Sequence, residues 1–287
     1  MSYENPRVPH EVNVSRESVM VEFLRLVAGI GLCVAIAAGV LWACGGWLAR
    51  RIPFATEVQM VGDRVIGIDL FGAKSSDDRA KADEVERYLR ERVAALGTRM
   101  DLPPGMIVQV HLVDSDTANA FATLGGHVVV TRGLYQRMPS ENALAFVLAH
   151  EIAHLRARDP ISAIGGSASV VLLLAVVGGE VSGLLPHVAQ LVTLGYSRAS
   201  ETRADGLAIA ALQATYGHAR DADAAMRALA ESRRDAAIGA PPTLLSTHPA
   251  DADRIARLRS AAETSPEHAA ITPLRVTWSA NGQTSAD

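Results

Sequence analysis

Apolar and polar positions change their spacing several times along the chain. Leu26 to Ala49 is an unbroken run of 24 residues without a charge, flanked by Arg25 and by Arg50-Arg51. At about 1.5 Å per residue such a helix crosses a hydrocarbon layer of about 30 Å. Trp42 and Trp47 lie toward its C-terminal end, where interfacial anchors belong. The run is too long for the apolar core of a signal peptide, and Arg50-Arg51 makes a poor cleavage site. The pattern predicts a transmembrane anchor at 26–49, a polar segment 1–25 before it and a connector 50–75 after it with short strand-like runs.

Ala82, Val85, Leu89, Val93 and Leu96 then recur three and four apart, one apolar stripe of a helix from Ser76 that stops at Gly97. Pro103-Pro104-Gly105 reads as a turn, and Met106 to Val113 alternates as a strand. Asn119 to Ala122 and His127 to Thr131 read as two strands joined at Gly125-Gly126, followed by a short helix. A helix with apolar periodicity from about Ser140 stops at Asp159-Pro160, because proline disfavours helix in the residue before it. Ile161 to Gly179 again lacks charge; together with Val181 to Tyr196 it forms a hydrophobic insert, 161–196. The insert reads either as a membrane hairpin with Glu180 near its tip or as a helical pair lying on the domain and the bilayer surface, the second being favoured because Pro186 interrupts it. A helix runs from Ser197 to about Tyr216, another from Arg220 to Arg234, and a last one from Ala250 to Ala262. The tail 263–287 is polar, apart from a strand-like stretch, Ile271 to Trp278. The fold class is therefore α+β, mainly helical with a small sheet, and 76–262 is its folded domain.

Composition adds little to this. A hydrophobic content of 49% is concentrated in the anchor and the insert, and a net charge of −4 without a basic block excludes nucleic acid as a partner. Both cysteines, Cys33 and Cys44, lie inside the anchor, so no disulfide marks the compartment. Arginines flank the anchor on both sides, and the charge rule for orientation hardly discriminates.

Chemistry enters at His150-Glu151-Ile152-Ala153-His154. Residues four apart on a helix lie nearly above one another, so His150 and His154 present two imidazoles to one ion. Glu151 sits beside that ion but not on it, where a carboxylate can take a proton from attacking water. A helix that merely carries two histidines is the plain alternative. Against it, Leu144, Phe146, Val147, Leu148 and Ile152 imply a buried helix, where unpaired polar groups are costly. Glu201 and Asp205 are also four apart. Catalytic zinc needs a third protein ligand, which suits Glu201, and a partner for the free nitrogen of a ligating histidine, which suits Asp205. Either could instead belong to a charged helix face; the upstream motif tips the balance. His127 has no companion at metal spacing.

Four motifs in order are similar to those of the HtpX and CaaX-prenyl-protease family of zinc metallopeptidases. They are Asn119-Ala120-Phe121-Ala122 before Gly125-Gly126, the histidine motif, Ser197-Arg198 with Glu201 and Ala204-Asp205, and Ser246-Thr247-His248-Pro249 with Arg254. The resemblance covers about Asp77 to Leu258. Leu124 departs from it, since proline commonly precedes the glycine pair. The resemblance implies a gluzincin fold, one Zn2+ per chain held by His150, His154 and Glu201, and endopeptidase activity on misfolded or membrane-associated proteins. It also brings His248 and Arg254 to the site, where they are expected to steady the oxyanion. By its position before the motif helix, the strand pair reads either as a cleft lip, in which Asn119, Gly126, His127, Val128, Val129 and Val130 pair with an extended peptide, or as a plain hairpin packing under that helix. The expected setting is the inner membrane of a bacterium, with the catalytic domain on the periplasmic face. A zinc-bearing but latent or proteolytically silent chaperone-like module is the alternative, and another metallohydrolase such as an amidase the third reading.

Overall fold

The computed structural model describes residues 18–61, 76–178, 196–234, 248, 252–266 and 268–278. Helix α1 runs Val19–Ala49. It starts seven residues before the expected anchor because Val19 to Leu24 are also mostly apolar and Ser18 caps it, its hydroxyl accepting from Met20 N at 3.3 Å. The described part of the connector forms a helix, α2 (Phe54–Val61), in place of the expected strand-like runs; its remainder, 62–75, lies outside the described residues. Pro53 is already set for a helical start, and its carbonyl accepts from Thr56 and Glu57 N–H. Helix α3 (Ser76–Gly97) buries the expected stripe, with Val85, Leu89, Val93 and Leu96 at 3% exposure or less.

The sheet has three strands: β1 (Gln109–Val113), β2 (Ala120–Thr123) and β3 (His127–Thr131). Their order is β1-β3-β2, with β3 parallel to β1 and antiparallel to β2. Between β2 and β3 the chain turns through Leu124–Gly126. Gly125 and Gly126 both have positive φ, and a Cβ on Gly126 would sit 2.3 Å from the Ile107 carbonyl oxygen. A side chain is therefore excluded there on two counts.

After the short α4 (Arg132–Tyr135) comes α5 (Glu141–Arg156), capped by Ser140, whose hydroxyl accepts from Ala143 N at 3.0 Å. Every residue of α5 from Glu141 to Leu155 is buried. It packs against α3, β2 and the helices that follow. Leu144, Phe146, Leu148 and Ile152 are fully buried, each contributing about 1.5–3 kcal/mol. Arg158 then adopts a left-handed conformation, φ 60°, and α6 (Asp159–Gly178) begins at once.

Helix α6 departs from the favoured expectation for the insert. It runs antiparallel along α1, with Gly165 against Ala49 and Gly45, and Gly166 against Trp42. Small residues on both helices allow this approach. The second half of the insert, 179–195, lies outside the described residues, as do Pro241-Pro242. Helices α7 (Arg198–Tyr216), α8 (Ala222–Arg234) and α9 (Ala252–Glu263) complete the domain. No strand forms at Ile271 to Trp278. The available partners are the first turn of α5 rather than a sheet edge: Glu141 N donates to Thr272 O, and Asn142 Oδ1 accepts from Thr272 N.

Candidate metal centre

Helix α5 delivers His150 and His154 from one face, and α7 brings Glu201 opposite them. His150 Nε2 lies 3.1 Å from His154 Nε2 and 3.3 Å from Glu201 Oε2, and His154 Nε2 lies 3.5 Å from Glu201 Oε1. Ligands about 2.0–2.1 Å from a tetrahedral ion are about 3.3–3.4 Å from one another. The two imidazole nitrogens and the Glu201 carboxylate, taken at the nearer oxygen for each, are therefore spaced about as ligands of one tetrahedral ion. His248 joins them: its Nδ1 is 3.2 Å from His150 Nε2 and 2.9 Å from Glu201 Oε1. All four residues are buried, and their donor atoms lie within 4.8 Å of one another. This set of imidazoles and one carboxylate suits zinc among the common ions.

Glu151 stands one step round the helix. Its Oε2 accepts from Ala122 N at 2.8 Å, and its buried Oε1 has no hydrogen-bond partner among the described residues. That oxygen lies 3.6 Å from His248 Nε2, facing the donor cluster. A buried carboxylate oxygen without a partner is costly. It is what a proton acceptor for an entering water needs.

The electrostatics fit ligation. Burial alone would raise the Glu201 pKa, but hydrogen bonds from His150, His154 and His248 hold it far below the usual carboxylate range. Burial works to lower the His150 pKa, yet hydrogen bonds to Asp205 and Glu201 and the charge of Glu151 push it up to about 9. His248 is lowered, burial outweighing the neighbouring carboxylates. Burial raises Tyr196 well above its ordinary value and keeps the phenol neutral. Its ring stacks on His154 with centroids 4.0 Å apart.

The expected residues come together with two differences. Arg254 is buried and committed to carboxylates: Nε and Nη2 donate to Asp205 at 2.8 and 2.9 Å, and Nη1 lies 2.7 Å from Glu201 Oε2. Its described contacts are thus with Asp205, Glu201 and the His248 carbonyl, where an oxyanion contact was expected. The lip also moves. Val128, Val129 and Val130 belong to β3, which is paired on both sides, so strand addition expected there has no free edge. His127 is buried with Nδ1 2.8 Å from His111 Nε2, and Asn119 N donates to Thr131 Oγ1. Gly126 turns the chain. Among the described residues the unpaired edge beside Glu151 is β2, where Ala120 and Ala122 alternate with the residues that bond β3. Asp205 Oδ1 is 3.0 Å from His150 Nδ1, at ion-pair distance but without the hydrogen-bond alignment expected of it.

Sequence reading missed Asp159, Arg203 and Tyr196. Asp159 Oδ2 lies 2.9 Å from His154 Nδ1, and Arg203 Nη2 donates to both Asp159 oxygens at 3.0 and 2.7 Å. Arg203 lies between Glu201 and Asp205 on α7, a position that could have prompted a search for its partner.

A family model described as peptidase family M48 matches residues 80–262. A beta-barrel assembly-enhancing protease of Yersinia pestis is 30% identical over 172 residues, covering 55% of this chain and 35% of that protein. A protease HtpX homolog of Acidiphilium cryptum is 28% identical over 284 residues, 81% of this chain and 96% of the relative. The mitochondrial metalloendopeptidase OMA1 of Schizosaccharomyces pombe is 34% identical over 184 residues, 61% of this chain and 51% of the relative. The chain thus spans about a third of the length of the beta-barrel assembly-enhancing proteases it matches.

Proposed function

Because this chain belongs to peptidase family M48 and is a metallopeptidase, we propose that it is a membrane-anchored, zinc-dependent endopeptidase with Glu151 as general base. The supporting observation is the spacing of His150, His154 and Glu201 about as ligands of one tetrahedral ion, with the unpartnered Glu151 Oε1 turned toward them. When bound, the metal supplies a Lewis acid that polarises the scissile carbonyl and acidifies water.

The chain's own residues do the rest. Glu151 keeps Oε2 on the Ala122 N–H and takes the proton of the attacking water on Oε1. It then passes that proton to the leaving amine. An extended peptide adds to the β2 edge through the outward main-chain groups of Ala120 and the Ala122 carbonyl. Asp205 holds the Nδ1 side of His150. Pairing through the main chain requires an unfolded stretch, which favours misfolded proteins as substrates, and the anchor favours those at the membrane. We place α1, and α6 packed along it, in the bilayer, and the domain on the periplasmic face of a bacterial inner membrane. Labelling of Asp101→Cys by an impermeant thiol reagent in intact spheroplasts is expected; protection until lysis would reverse the side.

Metal content and casein cleavage of wild type, Glu151→Gln and Glu201→Ala test the main reading. One zinc per chain, cleavage lost in Glu151→Gln with zinc retained, and zinc weakened in Glu201→Ala are expected. Turnover in Glu151→Gln comparable to wild type would reject the general base.

One observation favours a latent form of the same enzyme. His248 Nδ1 lies 3.2 Å from His150 Nε2 and 2.9 Å from Glu201 Oε1, where it would serve as a fourth donor in place of the water that a catalytic site admits. On this reading His248 would have to swing out before water enters. His248→Ala is expected to raise cleavage without loss of zinc; a fall in cleavage would instead return His248 to the role of oxyanion donor.

A further inference from the structure

We infer that Asp159 is a positioning residue of the metal centre, its carboxylate accepting a hydrogen bond from the Nδ1–H of His154 so that Nε2 is presented to the ion. The inference rests on His154 being a ligand. Asp159 Oδ2 lies 2.9 Å from His154 Nδ1, and both side chains are buried, at 3% and 0% exposure. An ionised carboxylate only accepts, so the proton of the neutral imidazole belongs on Nδ1. The lone pair is then on Nε2, the atom that faces His150 and Glu201. A fixed tautomer and ring plane are what a ligating histidine gains from such a partner.

A carboxylate and a guanidinium also stand behind His150, the carboxylate at ion-pair distance from Nδ1 without a hydrogen bond to it. There Asp205 meets Nδ1 and is held by the Arg254 guanidinium. At His154 the carboxylate is Asp159 and the guanidinium is Arg203, donating to both oxygens. The two halves are built from different elements. Asp205 lies on α7, the helix of the third ligand. Asp159 opens α6, the helix that runs along α1, and Arg50 at the end of α1 is 3.7 Å from it. Left-handed Arg158 makes the abrupt turn that returns residue 159 beneath His154. Its guanidinium is tied to Glu57 at 2.8 Å and to the Ile52 carbonyl at 2.7 Å. The residue that orients one ligand is thereby fastened to the anchor's end of the molecule.

A plain alternative makes Asp159 an acidic residue that only favours the α6 N-terminus. Asp159→Ser separates the two: at the first residue of α6 serine is at least as good a helix former as aspartate, but it is too short to reach His154. Full-length protein in detergent is stripped of metal, and zinc affinity is measured by competition with a chromophoric chelator. The visible spectrum of the Co(II) form is recorded alongside. Asp159→Ser is expected to bind zinc about 10- to 100-fold more weakly and to show an altered Co(II) band, with the metal-free melting temperature near wild type. Asp159→Asn, of equal size, is expected to fall between the two. Arg203→Gln, near the surface, is expected to show a smaller loss in the same direction and decides the matter if neither Asp159 variant folds. Zinc affinity within about twofold of wild type in the variants that fold would overturn the proposal. A wild type that binds no zinc would instead overturn the metal reading on which it stands.

Discussion

The backbone N–H of Ala122 donates to Glu151 Oε2 at 2.8 Å, so one bond joins the β2 edge to the carboxylate proposed to act on water. Ala122 is not one of the residues that bond β3, and Phe121, which precedes it, is extended. Proline at 122 would delete this single N–H while sparing the ladder. A hydrogen bond to a charged group contributes about 1.5–3 kcal/mol. Ala122→Pro is expected to lower kcat/KM about 10- to 100-fold with zinc content unchanged. Cleavage at the wild-type rate would mean that Glu151 does not depend on the strand.

Arg254 neutralises two buried carboxylates at once, Asp205 and Glu201. Removing one partner of a buried ionic cluster strands the others, at a cost of about 3–5 kcal/mol. Arg254→Ala is expected to lose stability of that order in denaturant titrations of the metal-free protein, with zinc bound more weakly. A loss below about 1 kcal/mol would show that water reaches the cluster and replaces the guanidinium.

Legibility in the sequence followed locality. The α5 motif, its Ser140 cap, the stop at Gly97 and the turn at Gly125-Gly126 all depend on neighbours a few residues away, and the structure has them where the pattern puts them. The position of β3 did not follow from pattern, because its parallel pairing with β1 joins Val110 to Val128 across an intervening strand. Five buried residues in β3 leave it without the alternation of a strand at an edge. The course of α6 depended on matching Gly45 and Gly46 with Gly165 and Ser162, small residues that look unremarkable until the helices are side by side. Asp159 escaped notice because it lies beyond the end of α5. Only the left-handed turn at Arg158 brings it back to His154.

Hydrogen bonds to Asp205 and Glu201 overcome burial and push His150 up to about 9. The ordinary value in an unfolded chain is about 6.5. A raised folded pKa gives the metal-free protein a stabilising contribution that is complete below about 6.5 and is lost as pH rises through about 9. Zinc needs the neutral imidazole, so binding expels that proton and affinity climbs by up to about tenfold per pH unit across the same window. Titration calorimetry at about pH 7.5 in buffers of different ionisation enthalpy is expected to report close to one proton released from this group. Heats independent of the buffer would show that His150 is already neutral.

Gly165 sets how closely α6 approaches α1. A Cβ there would lie 2.4 Å from Ala49 Cβ and 2.7 Å from the Gly45 carbonyl oxygen, so no rotamer relieves the clash and the helices must separate. Overpacking of this kind costs about 1–3 kcal/mol, which corresponds to amide exchange about 5- to 160-fold faster where the pair must open. In lipid nanodiscs, Gly165→Leu is expected to speed exchange along 160–172 while leaving 142–152 of α5 unchanged. Because Asp159 begins α6 and contacts His154, zinc affinity is expected to fall slightly in the same variant. Unchanged exchange along α6 would mean that it finds a different surface in the bilayer, and that the contact with α1 is not what holds the end of the metal helix in place.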